Sequence, residues 1–231
     1  MATETYNPRD YDTLPSLHDS ATEFVKRDAE AVLDSDIRQL FSDFDASLSQ
    51  KYGVALLHKH FPIEPTQRLV EFHNTATPWS IKESKKGAAF PHRDGFLVPR
   101  AFRFDGTDSS EAKPYEFSFT YEEPKPLTDT EVAFFKSFWT IIIGFQLQNV
   151  LGICALGHEP EKDKYQLEIT EGKANIMIKG DSVPNSSIIQ AVWSFTPDAD
   201  SKIVKRKCVG GCYAVDQMHG YGTHDYEPDD C

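Results

Sequence analysis

The chain has 231 residues, of which 39% are hydrophobic and 12% aromatic, and its formal net charge is −12. This composition is that of a folded globular protein, and the negative charge opposes association with nucleic acids and with anionic membranes. The N-terminus lacks the basic and apolar regions of a signal peptide, and the most apolar later segment is interrupted by amide side chains, so we expect a cytoplasmic protein that does not cross a membrane.

The first elements in chain order are a loose arm and a pair of helices. Residues 1–15 are polar and show no periodicity, which predicts an arm outside a single globular domain of residues 16–231. Ser20 and Glu23 have the spacing of a capping box, and apolar side chains recur at helical spacing over residues 37–48. We therefore predict an N-terminal helical pair that leads into the first strand.

A strand pattern and two histidines coincide in residues 52–61. Successive side chains of a strand point to opposite faces, so His58 and His60 share one face and their imidazoles lie side by side, as a metal ion requires. Glu64 follows in a turn between two prolines, from which its carboxylate can reach the same point as a ligand or as a general base. This pattern predicts a redox-active divalent metal on His58, His60 and Glu64, with Glu64 as the catalytic residue. The alternative is a polar strand edge or two hydrogen-bonded core histidines.

The string His58-x-His60-x3-Glu64, preceded by Gly53, resembles the first metal motif of the cupin family. Cupins are small antiparallel β-barrels, and the resemblance implies that these three residues bind a metal together with a histidine from a second motif. The resemblance covers residues 53–64, and a counterpart of the second cupin motif is not found in the sequence.

Two further strands are predicted before the middle of the chain. Residues 68–73 alternate between apolar and polar side chains, so we expect them to form an antiparallel hairpin with the His58 strand. Residues 115–121 alternate aromatic and polar side chains, which predicts a strand with an aromatic face. We interpret this face as core, and a wall for a flat small-molecule ligand is the alternative.

The longest predicted helix is apolar nearly all the way round. A second capping box opens it, and we place it at about residues 128–150, with Phe138, Trp139 and Phe145 buried. Strand-like segments follow it over residues 153–195. The predicted fold class is α+β, in which a mostly antiparallel sheet packs around this one buried central helix.

The C-terminal tail, residues 205–231, is the second stretch with candidate metal ligands. These ligands are Cys208, Cys212, His219 and His224. The residues between the cysteines include two glycines, so both thiols can turn onto one ion and the histidines can complete a tetrahedron. This pattern predicts a structural zinc knuckle, with a disulfide or redox pair of the cysteines, or plain surface residues, as alternatives.

Two functions follow from these patterns. The first is a metal-dependent enzyme that acts on a small molecule, because a two-histidine, one-carboxylate site leaves coordination positions open. The second is a non-catalytic binding or scaffold protein with zinc in its tail. The glycine and serine motifs of nucleotide-binding proteins and of serine hydrolases are missing from the sequence, which weighs against both classes. Nothing in the sequence indicates the oligomeric state.

Overall fold

The structure, a computed structural model, describes residues 7–80, 95–104, 112–157, 165–180, 188–197 and 203–213. These residues form ten strands: β1 (Tyr52–Leu56), β2 (Gln67–Phe72), β3 (Thr75–Ser80), β4 (Phe96–Arg103), β5 (Lys113–Thr120), β6 (Leu151–Ala155), β7 (Tyr165–Glu171), β8 (Ala174–Gly180), β9 (Ile188–Pro197) and β10 (Val204–Tyr213). The strands close into a barrel in the order β1, β6, β4, β5, β2, β3, β8, β7, β10 and β9, and β9 pairs with β1. Closure pairs the backbone N–H and C=O groups that the edge strands of an open sheet would leave exposed.

The barrel is mixed rather than antiparallel. Strands β2 and β5 are parallel, and so are β7 and β10, whereas the other pairs are antiparallel. The β7–β10 contact consists of three residue pairs, and the β3–β8 contact of two. The hairpin of β7 and β8 is therefore joined to the rest of the barrel by short ladders on both sides.

Six α-helices accompany the strands in the described part of the chain: α1 (Pro8–Asp12), α2 (Leu17–Lys26), α3 (Ala29–Val32), α4 (Arg38–Asp43), α5 (Ala46–Lys51) and α6 (Asp129–Gly144). A π-helical turn at Leu33–Ile37 connects α3 to α4. Helix α1 is part of the predicted N-terminal arm. None of the helices in the described ranges has the length and apolar character needed to span a bilayer.

Two of the three hydrophobic cores in the described residues lie on opposite faces of the strands. The core between helices and barrel contains alternate residues of β1 together with the buried face of α6: Val54, Leu56, Phe134, Phe135, Phe138 and Ile142. The other core takes one residue from each of seven strands: Ala55, Leu69, Ala76, Ala101, Tyr115, Cys154 and Val192. Side chains from seven strands of a closed barrel can meet in one cluster only inside the barrel. This second core therefore lies in the barrel interior, and we call it the inner core.

Helix α6 is not central, and the predicted α+β fold is wrong. The helix lies against the outside of the barrel, where Phe135, Phe138 and Ile142 are fully buried. Trp139 is half-buried and Phe145, the C-cap residue, is 45% exposed, contrary to the prediction. The apolar character of the helix on all sides predicted burial on all sides, but the barrel covers one face.

The predicted hairpin of the His58 strand with residues 68–73 is also wrong. Strand β1 pairs with β6 and β9, and β2 pairs with β3 and β5. The predicted mostly antiparallel sheet is wrong as well, because the strands form a closed, mixed barrel. Sequence neighbours pair in many sheets, but here β1 is inserted between two strands that come about 100 and 140 residues later, and local alternation carries no information about such partners.

Candidate metal centre

Four buried side chains from three parts of the chain converge on one point. Their potential ligand atoms all lie within 4.8 Å of one another. These residues are His58, His60, Glu168 and Cys212, which we call the ligand group. In the ranges that the structure describes, no other set of three or more such side chains has its ligand atoms this close together.

The two histidines lie just beyond the end of β1, not within it. Strand β1 ends at Leu56, and Lys59, between the histidines, forms an isolated parallel bridge with Ser16. The two imidazole rings are nonetheless neighbours, with centroids 4.6 Å apart and planes 76° apart, and their residues are 6% and 3% exposed. The segment that precedes α2 holds this turn in place, because the Lys59 N–H donates to the Pro15 carbonyl at 3.0 Å.

Helix α1 closes the barrel next to the second histidine. Tyr11 is fully buried in the inner core, and its hydroxyl oxygen accepts a hydrogen bond from the backbone N–H of His60 at 3.0 Å. On the adjoining helix, the Ser20 hydroxyl donates to the Leu57 carbonyl. Both contacts fix the backbone that carries the histidines, so the positions of the imidazoles depend on the N-terminal helices.

Strands β7 and β10 supply the other two ligands. Their parallel register places Cys212 directly opposite Glu168. The Cys212 thiol donates to Oε2 of Glu168 at 2.8 Å, and its sulfur lies 3.3 Å from Nε2 of His58. Oε2 of Glu168 is also 3.7 Å from Nε2 of His60, so this carboxylate oxygen lies between the sulfur and the second imidazole.

Both imidazoles present the Nε2 atom as an acceptor. Nδ1 of His58 donates to the Leu56 carbonyl at 2.8 Å, which leaves the Nε2 lone pair facing the sulfur. An amide NH2 group only donates, so the contact of 3.3 Å from Nδ2 of Asn175 to Nε2 of His60 makes that nitrogen an acceptor as well. A backbone carbonyl that holds the remote nitrogen of a histidine is a common support for metal ligation through the other nitrogen.

Burial and neighbouring charges set the protonation of the group. Burial lowers the pKa of His58 below its ordinary 6.5, although Glu168 opposes the shift, so this imidazole is neutral. Burial would raise the pKa of Glu168, but His60, His58 and Arg100 outweigh it and hold the pKa below 4.5. Burial, reinforced by Glu168, raises the pKa of the Cys212 thiol well above 9.0. A thiol of this kind is a poor nucleophile and becomes a ligand only when a metal displaces its proton.

Three largely buried charged side chains lie beside the ligand group, and we call Glu71, Arg100 and Glu116 the charged trio. Nη1 of Arg100 is 2.7 Å from Oε2 of Glu71 and 3.5 Å from Oε2 of Glu116. The other oxygen of Glu116 is 3.7 Å from Nε2 of His60. Burial raises the pKa of Glu116 to about 7, with Arg100 opposing and the other carboxylates reinforcing the shift. The carboxylates of the site therefore outnumber the single guanidinium.

The separations within the ligand group suit a small cation. In a tetrahedral site with bonds of about 2.0–2.3 Å, neighbouring ligand atoms lie about 3.3–3.8 Å apart. The distances from sulfur to His58 Nε2 and from Glu168 Oε2 to His60 Nε2 are 3.3 and 3.7 Å. The thiol and the carboxylate, at 2.8 Å, are closer because a hydrogen bond joins them, and loss of that proton to a metal would let them separate.

No known protein family, curated protein or solved structure matches this chain. The geometry of the ligand group is therefore the evidence for its function.

The structure brings together three predicted ligands, His58, His60 and Cys212, with one that was not predicted, Glu168. Two predicted ligands, Glu64 and Cys208, lie apart from them. Glu64 is exposed and outside the ligand group, and its backbone N–H bonds to the Gln67 side chain at 3.0 Å. Cys208 is outside the ligand group, and two register shifts in the pairing of β10 with β9 separate it from Cys212. The Cys208 thiol donates to the Gly210 carbonyl, and no disulfide joins Cys208 to Cys212.

The predicted tail site is only partly described. His219 and His224 lie outside the described residues, so the zinc knuckle stays a prediction. Glu168 was missed because Leu167 and Ile169 flank it in an alternating strand, the usual pattern of a solvent-facing glutamate. No local signal distinguishes it from other surface glutamates; only its position opposite Cys212 does.

Proposed function

We propose that this protein is a metal-dependent enzyme that acts on a small molecule, with one divalent transition-metal ion bound by the ligand group. The observation that carries the proposal is the convergence of two imidazole lone pairs, a carboxylate and a thiol within 4.8 Å in a buried position. Buried polar groups of this kind are unfavourable without partners, and an ion provides a common partner for all four.

The donor set favours particular metals. Thiolate and imidazole are ligands for zinc and for the later divalent transition metals, whereas magnesium and calcium prefer sites made of oxygen atoms. Zinc requires no redox chemistry and takes two histidines, one cysteine and one carboxylate in tetrahedral geometry. Zinc is therefore the first metal to test, followed by cobalt and iron as redox-active candidates.

The charged trio supports a catalytic rather than a purely structural role. Burying Glu71, Arg100 and Glu116 costs free energy, and a structural ion does not need them. Clusters of buried ionisable groups with shifted pKa values are typical of active sites. In such a site the metal would polarise a bound molecule, while Glu116 exchanges protons and Arg100 supplies positive charge close to the ion.

The proposal is tested by metal analysis of protein purified without a chelating tag. We expect about one equivalent of metal per chain in the wild type. Cys212→Ser and Glu168→Gln should lower zinc affinity by at least about 100-fold, since each removes an anionic ligand. Cys208→Ser is the matched control, because it removes a thiol four residues away on the same strand that is not part of the ligand group.

The outcomes separate the two predicted metal sites. Loss of metal in Cys212→Ser with retention in Cys208→Ser supports the barrel site. Equal loss in both variants, together with loss in His219→Ala, supports the tail knuckle instead. A wild-type protein that binds neither zinc nor cobalt contradicts the proposed function.

A structural ion is the second candidate. Its support is that four protein ligands complete a tetrahedral shell, and none of the four residues is more than 9% exposed. Such an ion would join β7, β10 and the end of β1, across the three-pair ladder that closes the barrel. The two candidates differ in whether the bound metal accepts a ligand from solution.

A further inference from the structure

Asn175 is a buried amide that faces the ligand group and is not part of it. It lies on β8, is 2% exposed, and is paired with Ala76 of β3 and with Thr170 of β7. Ala76 belongs to the inner core, so Asn175 projects from the inner face of the barrel. Its Nδ2 atom is 3.3 Å from Nε2 of His60.

A second, longer contact favours one orientation of this amide. The Thr170 hydroxyl donates to Oδ1 of Asn175 at 3.5 Å, so the carbonyl end of the amide faces Thr170 and the NH2 end faces His60. Thr170 and Glu168 are two residues apart on β7 and point to the same face. The strand that supplies the carboxylate ligand therefore also orients the amide.

Metal binding changes what the Asn175 amide can do. A nitrogen lone pair serves either a hydrogen-bond donor or a metal ion, so an ion on Nε2 of His60 removes the acceptor that Asn175 has in the metal-free protein. Thr170 still holds the amide in place. A buried N–H group without an acceptor is unfavourable, and an atom of a molecule bound to the ion would supply one.

The other polar groups near the ion are less suited to that task. Glu71 and Glu116 are acceptors when ionised, and they repel anions. Nη1 of Arg100 already contacts both of these carboxylates. Asn175 is a neutral donor with a fixed direction, which is the property required of a group that binds an oxygen atom on which negative charge is concentrated.

We propose that Asn175 binds the non-protein ligand of the metal, by donating a hydrogen bond to an oxygen atom that the ligand presents to the ion. The inference rests on the proposed function and makes it more specific: the substrate is a small molecule that offers a carbonyl or carboxylate oxygen to the metal. Asn175 selects for an acceptor at that position and against an apolar group.

The test uses the 231-residue chain, loaded with one equivalent of Co²⁺ after removal of bound metal. The visible spectrum of Co²⁺ reports its coordination, and sodium acetate, with sodium azide as a second probe, is titrated into the sample. We expect the wild type to bind acetate with a spectral change. Asn175→Ala should take up Co²⁺ with an unchanged spectrum but bind acetate about tenfold more weakly, as expected for the loss of a hydrogen bond to an anion.

Three further variants make the result specific. Asn175→Asp preserves the shape of the side chain but removes the donor and adds negative charge, so it should weaken acetate binding more than Asn175→Ala. Thr170→Val, which removes the contact that orients the amide, should weaken it about two- to threefold. Asn74→Ala is the matched control, because Asn74 is an exposed asparagine whose amide donates to the Met177 carbonyl, and it should leave acetate binding unchanged.

Each outcome supports or overturns the inference. Co²⁺ uptake with equal acetate affinity in the wild type, Asn175→Ala and Asn175→Asp overturns the role of Asn175 and leaves the proposed metal site intact. Co²⁺ uptake without acetate or azide binding in the wild type overturns the inference in favour of a structural ion. Failure of the wild type to take up Co²⁺ overturns the proposed function, and the inference with it.

Discussion

Glu116 offers a quantitative test of how deeply the charged trio is buried. Its side chain is 13% exposed, and burial raises its pKa from 4.5 to about 7. A pKa that folding raises means that the folded protein binds the proton more tightly than the unfolded chain does. In the metal-free protein, Glu116 should therefore contribute a loss of stability of about 3 kcal/mol as the pH rises from about 4.5 to about 7.

The substitution Glu116→Gln removes the titration and keeps the shape of the side chain. Above about pH 7 the variant should be more stable than the wild type by up to about 3 kcal/mol, because folding no longer buries an ionised carboxylate. Below about pH 4 the two proteins should have nearly equal stability, since the wild-type carboxyl is then protonated in both states. Arg100 keeps its shorter ion pair with Glu71, at 2.7 Å, in the variant.

The assay is urea unfolding of chelator-treated protein between about pH 4 and pH 8. Glu64→Gln is the matched control: Glu64 is an exposed carboxylate outside the ligand group, and its loss should change the free energy of unfolding by less than about 0.5 kcal/mol at every pH. Parallel pH profiles of the wild type and Glu116→Gln would refute the reasoning, because a solvated Glu116 gives no difference that depends on pH.

Three further predictions test the centre and the fold. Zinc binding should release about one proton at pH 7, measured by calorimetry in buffers of different ionisation enthalpy, because the Cys212 thiol must deprotonate; Cys212→Ser should abolish this release. Tyr11→Phe should destabilise the protein by about 1–3 kcal/mol in urea unfolding, because the buried N–H of His60 loses its acceptor. Phe138→Ala should cost about 3–5 kcal/mol. Phe145→Ala, at the exposed end of the same helix, should cost less than about 1 kcal/mol in the same assay.

Part of the candidate centre is visible in the sequence. The i, i+2 spacing of His58 and His60 after an apolar strand predicts two neighbouring imidazoles, and their rings are neighbours in the structure. Cys212 was also predicted as a ligand, but together with Cys208, His219 and His224 rather than with His58 and His60. Two register shifts lie between the cysteines in the pairing of β10 with β9, and irregularities of this kind depend on the partner strand.

The remaining members of the centre depend on register. Glu168 reaches Cys212 through three parallel pairs between β7 and β10, and Asn175 reaches His60 from β8. Arg100 of β4 lies beside the ligand group through its ion pairs with Glu71 of β2 and Glu116 of β5. Each of these residues has an ordinary local sequence, so only the strand order identifies it as part of a site.

The sequence by itself determined features whose physical cause is local. The capping box of Thr128 and Glu131 starts α6 as predicted, and Phe135 and Phe138 are buried as their helical spacing requires. Tertiary structure alone decided that this helix lies outside a closed barrel and that the ligand group forms. Alternation and capping act over a few residues, whereas barrel closure is a free-energy difference among strand pairings separated by up to about 140 residues, and it is settled only when all ten strands pack together.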